Sequence, residues 1–142
     1  MPTDLQLKTM NAGHRLLLTL TGGRLGRTIA GMPSVELTTI GRKSGETRSV
    51  MLTAPIVDGD TIVVVASRGG DPTHPAWFLN LRDNPAVEVS LQQGPRRPMK
   101  ARIASADERA ALWPRVVAAY RGYASYQRKT TREIPLVLLT PA

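Results

Sequence analysis

From Val35 onward the chain repeats one pattern, in which a short run of β-branched and apolar residues is followed by a turn signal and then by another run. "VELTT", "SVMLTAPIV" and "TIVVVAS" come first, and "DGD" puts an Asp58-Gly59 hairpin turn between the last two. "AVEVSL" and "PMKARIAS" follow, separated by Gln92-Gln93-Gly94-Pro95, and "IPLVLLT" lies near the C-terminus. In "PMKARIAS", Met99, Ala101 and Ile103 alternate with Lys100 and Arg102, which predicts one buried and one wet face. "IPLVLLT" is apolar throughout and is predicted to lie centrally in the sheet. Pro55 has no N–H for a ladder, so the second run is expected at an edge or bulged there. Six such runs, mostly antiparallel and accompanied by peripheral helices, predict a small six-stranded β-barrel of α+β type.

Helical signals flank and interrupt the strands. Residues 5 to 31 place Leu16, Leu17 and Leu20 at helical spacing after Gly13, with Gly22-Gly23 as a stop. Residues 1–31 are therefore read as an N-terminal helical segment and 32–142 as the barrel domain. The segment packs on the core, covers a ligand as a lid, or anchors peripherally to a membrane through Lys8, Arg15, Arg24, Arg27 and its leucines. Pro75 opens a short helix, "PAWFLNLRDN", which Asn84-Pro85 ends. Ser105 and Glu108 form a capping box ahead of Trp113, Val116, Val117 and Tyr120, spaced i, i+3, i+4, i+7. Pro114 falls inside this stripe and predicts a kink or two abutting helices.

At 142 residues and 42% hydrophobic, the chain suits one domain with a real core. Its 19 Lys plus Arg against 11 Asp plus Glu, net +8, call for an anionic partner: nucleic acid, an acidic lipid surface or an anionic small molecule. No apolar run reaches the ~18 residues of a membrane span and no signal-peptide order opens the chain, so a soluble, unprocessed cytoplasmic protein is expected. With no cysteine, there is no thiolate nucleophile or cysteine-ligated metal. Two histidines, His14 and His74, cannot build a multi-histidine site, and no metal is expected. No G-x-G-x-x-G, P-loop, H-E-x-x-H or G-x-S-x-G motif is present.

The distinctive chemistry is cationic. "TTIGRKSGETRS" sets Arg42, Lys43 and Arg48 around a Ser44-Gly45 bend between two strands. Such a bend either grips an anion or keeps an edge strand from pairing with another chain. "SRGG", residues Ser67, Arg68, Gly69 and Gly70, leaves a strand with glycines that let a ligand approach backbone donors. Trp77 could lie against an aromatic ring with Asn80 as a hydrogen-bonding group, or be core. Tyr120, Tyr123 and Tyr126 are all the tyrosines in the chain and recur every third residue. Tyr120 also completes the apolar stripe, whereas Tyr123 and Tyr126 are better placed to line a pocket.

The ordered set "TTIGRKSGETR", "VASRGGDPTHPAWFLNLRDNP", "WPRVVAAYRGYASYQ" and "REIPLVLLTP" resembles the deazaflavin-dependent nitroreductase family, from about Gly22 to Pro141. The resemblance implies a split β-barrel related to flavin-mononucleotide-binding barrels. It further implies binding of coenzyme F420, an 8-hydroxy-5-deazaflavin with a phosphodiester-linked, polyanionic tail, and hydride transfer to a small-molecule electron acceptor. Lys43, Ser44 and Arg48 would hold phosphate and tail, with Arg42 and Gly45 completing the loop and Ser67, Arg68 and Gly69 approaching from the next strand end. Trp77 and Asn80 would bound the deazaflavin, and Tyr120, Tyr123 and Tyr126 would line the acceptor pocket as the catalytic set.

Met51 and Thr53 stand where nitroimidazole-activating relatives have proline and tyrosine, at positions facing ring and acceptor. The acceptor classes left open are quinones, nitroaromatics and activated enones. The alternatives are a flavin-mononucleotide oxidoreductase on the same barrel, or a non-catalytic basic module for nucleic acid or anionic membrane. Nucleic acid is disfavoured because no aromatics interleave with the cations of the basic loop. No obligate protein partner is evident.

Overall fold

The computed structural model describes residues 28–142. Eight strands and three helices follow in the order β1 (Thr28–Ile29), β2 (Met32–Ile40), β3 (Thr47–Thr53), β4 (Ile56–Asp58), β5 (Thr61–Val65), α1 (Ala76–Asp83), β6 (Ala86–Leu91), β7 (Arg97–Ile103), α2 (Ala106–Ala119), α3 (Gly122–Arg128) and β8 (Leu136–Pro141). They form one curled sheet in the order β1-β2-β6-β7-β8-β5-β4, with β3 paired to β2. Every neighbouring pair is antiparallel. This is the expected α+β split-barrel architecture, and "IPLVLLT" takes its predicted central place as β8, between β7 and β5.

Strand alternation sends side chains to two different cores. Val35 and Leu37 of β2, Ile62 and Val64 of β5, Val87 and Val89 of β6 and Val137 and Leu139 of β8 fill the inside of the curl, where α1 adds Trp77, Phe78 and Leu81. Val63, Val65, Leu136 and Leu138 face outward and meet Val116 of α2 and Tyr123 of α3. Strands β5 and β8 are thus buried on both faces, which accounts for their unbroken apolar runs. Each fully buried aliphatic side chain here contributes roughly 1.5–3 kcal/mol.

Three expectations change. "SVMLTAPIV" is two strands: the chain leaves β2 at Ala54-Pro55, where the Ala54 N–H donates to the Pro33 carbonyl (2.9 Å), and β4 then pairs with β5 at the end of the sheet. The missing donor of Pro55 therefore ends one ladder without a bulge, and the flanking strands β3 and β4 lie at edges of the sheet among the described residues, the first of the two expected outcomes. Residues 28–31, grouped by sequence with the helical segment, form β1 and a tight turn, because Ala30 (φ 52°) and Gly31 (φ 79°) adopt the left-handed pair that suits a two-residue hairpin. The rest of that segment, with its basic residues and leucines, lies outside the described residues.

Pro114, finally, sits inside one continuous helix, α2. Both Pro114 and Ala110, whose carbonyl loses its helical donor, are exposed, so water can replace the missing bond. The Ser105–Glu108 capping box forms as read: Ser105 Oγ accepts from the Glu108 N–H (3.2 Å) and Glu108 Oε1 from the Ser105 N–H (2.9 Å).

Candidate functional site

The β2–β3 turn is folded tightly upon itself. The Gly41 N–H donates to the Glu46 carbonyl (2.7 Å), the Gly45 N–H to the Gly41 carbonyl (2.8 Å) and the Glu46 N–H to Ser44 Oγ (3.2 Å). Gly45, at φ 73°, supplies the left-handed residue that lets the chain reverse. With its backbone bonds made internally, the turn holds Arg42, Lys43 and Arg48 out in solvent. Lys43 has no ion pair among the described residues, and Arg48 has only exposed Glu46 at 3.4 Å, worth little in water. Arg42 is tied down, since its backbone N–H and its guanidinium both donate to Asn80 Oδ1 (3.2 and 3.1 Å).

Asn80 is buried, and its Nδ2 donates to Thr39 Oγ1 (3.2 Å). Both ends of its amide are therefore spent on the turn and β2. Trp77 is buried in the inner core with an edge-on contact to Phe78, ring centres 6.5 Å apart. Met51 faces the other way, into a groove of about 270 Å³ on the outer side of the sheet with Ser34, Glu36, Ser90 and Gln93. Ser34 Oγ in that groove is buried with no hydrogen-bond partner among the described residues. The residues assigned to bounding one ring thus fall on opposite faces of the sheet, and only its edge reaches both. Strand β3 is that edge: its single ladder partner among the described residues is β2.

The Ser67–Asp71 loop is built differently. Arg68 (φ 47°), Gly69 (φ 65°) and Gly70 (φ 84°) are left-handed in succession, closed by bonds from the Gly70 N–H to the Ser67 carbonyl (2.9 Å) and from the Asp71 N–H to the Arg68 carbonyl (3.1 Å). Arg68 is largely buried and donates to Asp71 Oδ1 at 2.9 Å. The Asp71 carboxyl is held below its ordinary range, first by the Thr73 N–H and then by Arg68, against the opposing effect of burial. Gly70 is packed so closely that a Cβ there would lie 2.7 Å from the Tyr126 carbonyl oxygen of α3. Ser67 is half-buried.

The three tyrosines do converge. Ring centres of Tyr120 and Tyr123 are 5.2 Å apart, of Tyr123 and Tyr126 6.2 Å, and of Tyr120 and Tyr126 6.4 Å. Tyr123 is buried in the outer core, and its hydroxyl bonds to Thr53 Oγ1 at the end of β3 (2.9 Å). Burial raises its pKa. Burial, followed by the neighbouring Tyr120, pushes Tyr126 up to about 12, so its hydroxyl stays protonated at neutral pH. Tyr120 and Tyr126 are only half-buried.

One residue had no role assigned from sequence, although it opens the "REIPLVLLTP" motif. Arg132, in the polar stretch "KTTRE", donates from Nε to the Asp71 carbonyl (2.9 Å) and from its terminal nitrogens to the Ala66 (3.1 Å) and Ser67 (2.8 Å) carbonyls. It also lies 3.2 Å from His74 Nδ1. His74 stacks on Phe78 and is held below the usual histidine range by burial, then by Arg132 and Arg82. Its distance in sequence from the loop hides it. Among the described residues no group of histidine and acidic side chains could hold a metal, and no helix is long and apolar enough to cross a membrane.

A family model described as F420H(2)-dependent quinone reductase matches residues 13–141. An F420H(2)-dependent quinone reductase of Mycobacterium tuberculosis is 39% identical over 132 residues, covering 89% of this chain and 87% of the relative. A solved F420-H2 dependent reductase is 42% identical with a TM-score of 0.66, covering 75% of this chain and 93% of that one. A structure described as a domain-swapped dimer is 38% identical with a TM-score of 0.67, over 93% and 98% of the two chains. A pyridoxinephosphate oxidase family protein from Clostridium acetobutylicum, 11% identical with a TM-score of 0.53 over 90% and 84%, shares the fold alone.

Proposed function

The chain belongs to the F420H(2)-dependent quinone reductase family, and from that premise we propose that coenzyme F420 lies along the edge of β3 that has no ladder partner among the described residues. The protein is an oxidoreductase of the F420-dependent kind, with a quinone as its acceptor class. The observation that carries the binding mode is that β3 joins the two halves of the site. The cationic turn with Lys43 and Arg48 stands at its start, and Thr53, bonded to Tyr123, at its end. Arg48 and Thr53 are five residues apart, or roughly 17 Å of extended strand. That span suits a ligand with a planar ring at one end and an anionic tail at the other.

Lys43 and Arg48 meet the phosphate and tail with charge-assisted bonds, and Arg42, held by Asn80, completes the cationic rim. Ser67 offers a half-buried hydroxyl, and Gly69 leaves no side chain between the loop backbone and the ligand. Trp77 and Asn80 act from behind, one as core under the site and the other as the anchor of the turn. When bound in reduced form, the coenzyme supplies a hydride, and a quinone that accepts it needs a proton to become a hydroquinone. The half-buried Tyr120 and Tyr126 hydroxyls, protonated at neutral pH in the case of Tyr126, are placed to hydrogen-bond an acceptor oxygen, while Tyr123 fixes the cluster to β3.

Quinones are the acceptors the family description supports, with nitroaromatics and enones as secondary substrates to be tested. The test is a side-by-side titration with F420 and flavin mononucleotide, followed by turnover on the three acceptor types. Tight retention of flavin mononucleotide with no F420 affinity would overturn the proposal. Tyr123→Phe should lower acceptor turnover more than coenzyme affinity; equal losses in both would remove Tyr123 from the acceptor side.

A further inference from the structure

Three consecutive left-handed residues, one of them the non-glycine Arg68, persist only where their surroundings over-determine them. The surrounding constraint here is Arg132. Its guanidinium reaches the Ala66 and Ser67 carbonyls at the beginning of the loop and the Asp71 carbonyl at its end, so a single planar group clasps both ends of the loop. A fourth contact, to His74 Nδ1, ties the clasp to the residue ahead of α1. Arg132 is itself held from α3, where Gln127 Nε2 donates to the Arg132 carbonyl (2.8 Å) and Gln127 Oε1 accepts from the Ile134 N–H (2.9 Å). A connected path therefore runs from the helix that carries Tyr123 and Tyr126, through Gln127 and Arg132, to the loop that carries Ser67 and Gly69.

We infer that Arg132 is a positioning residue of the reaction: without entering the site, it sets the Ser67–Gly69 loop in the shape that receives the coenzyme and aligns that loop with the tyrosine helix. The inference rests on the coenzyme-binding reading above and goes beyond it, because four of the five guanidinium N–H groups of Arg132 are turned to the protein. Lysine keeps the charge but has no fork, so it cannot hold carbonyls at both ends of the loop together.

The experiment compares wild type, Arg132→Lys and His74→Phe in F420 titrations, in steady-state kinetics with a quinone, and in amide exchange across residues 66–71. Arg132→Lys is expected to weaken F420 binding about tenfold or more and to speed exchange in the loop but not in β5 or β8, with the quinone KM unchanged. His74→Phe, which removes one acceptor and keeps the stacking on Phe78, should move the same quantities by about two- to threefold. Wild-type F420 affinity in Arg132→Lys overturns the inference, as does weakened binding with unaltered loop exchange. Should Arg132→Lys fail to fold, wild-type affinity and loop exchange in His74→Phe overturn it. If wild type itself does not bind F420, the coenzyme reading fails first, and that result is distinct from either of these.

Discussion

Two arginine-bearing loops belong to the proposed site, and they handle their charges in opposite ways. In the β2–β3 turn the backbone satisfies itself and the cations are left outside: Lys43 has no ion pair among the described residues and Arg48 only a solvent-screened one. In the Ser67–Asp71 loop the cations are consumed internally, Arg68 by Asp71 and Arg132 by three backbone carbonyls. Both loops read alike in the sequence, as basic residues beside glycines. The lesson is that an arginine in a glycine-rich loop signals a ligand only when the loop does not need it to stay folded.

The contrast is sharpest at the glycines. Gly70→Ala forces a Cβ onto a residue at φ 84° and against the Tyr126 carbonyl and Lys129 Cβ, 2.7 and 3.0 Å away. It should destabilise the protein by about 2–4 kcal/mol, measured by denaturant unfolding; a loss under 1 kcal/mol would mean that the loop does not bear on α3. Lys43→Ala and Arg48→Ala should do the reverse, each weakening F420 binding by roughly 1–3 kcal/mol at unchanged Tm. Unaltered affinity in both would erase the distinction between the loops. Gly45→Ala meets nothing within 4 Å, so only its φ of 73° opposes it, and about 1 kcal/mol of stability is expected to go.

The smallest effect is that of pH. His74 accepts from Arg132 in its neutral form, and its pKa is lowered in the folded protein, so the unfolded chain binds the extra proton first. Its stabilising contribution is present above pH ~6.5 and is lost as pH falls through the lower folded value. The groups facing it are Arg132 and Arg82, both cations, which oppose protonation. Thermal melts between pH 7 and pH 5 should show Tm declining less in His74→Phe than in wild type; parallel declines would detach His74 from the clasp.

Much of this architecture was written in local patterns. The "AVEVSL"/"PMKARIAS" hairpin, the Ser105–Glu108 cap and the central closing strand each depend on residues within a few positions of one another, so periodicity exposed them. What escaped depended on context. Pro114 is tolerated because the carbonyl it orphans faces water, and no local pattern says which face that will be. Ala30 adopts a left-handed conformation against its own preference because β1 pairs with β2. Asn80, read as a hydrogen-bonding group for the ring, braces Arg42, while Arg132, which had no role assigned, closes a loop more than 60 positions away. Partners distant in sequence decided each of these.

The tyrosine trio has an unequal footing. Tyr123 is mortared into the apolar layer between sheet and helices, while Tyr120 and Tyr126 stand at its rim. With the trio lining the acceptor pocket as proposed, a lineage that drifts toward new acceptors can rewrite the rim with little damage to the scaffold, but each change at Tyr123 is also a change to the foundations. Diversification in this enzyme should accordingly run through the outer two positions, leaving the innermost ring as the slowest to evolve.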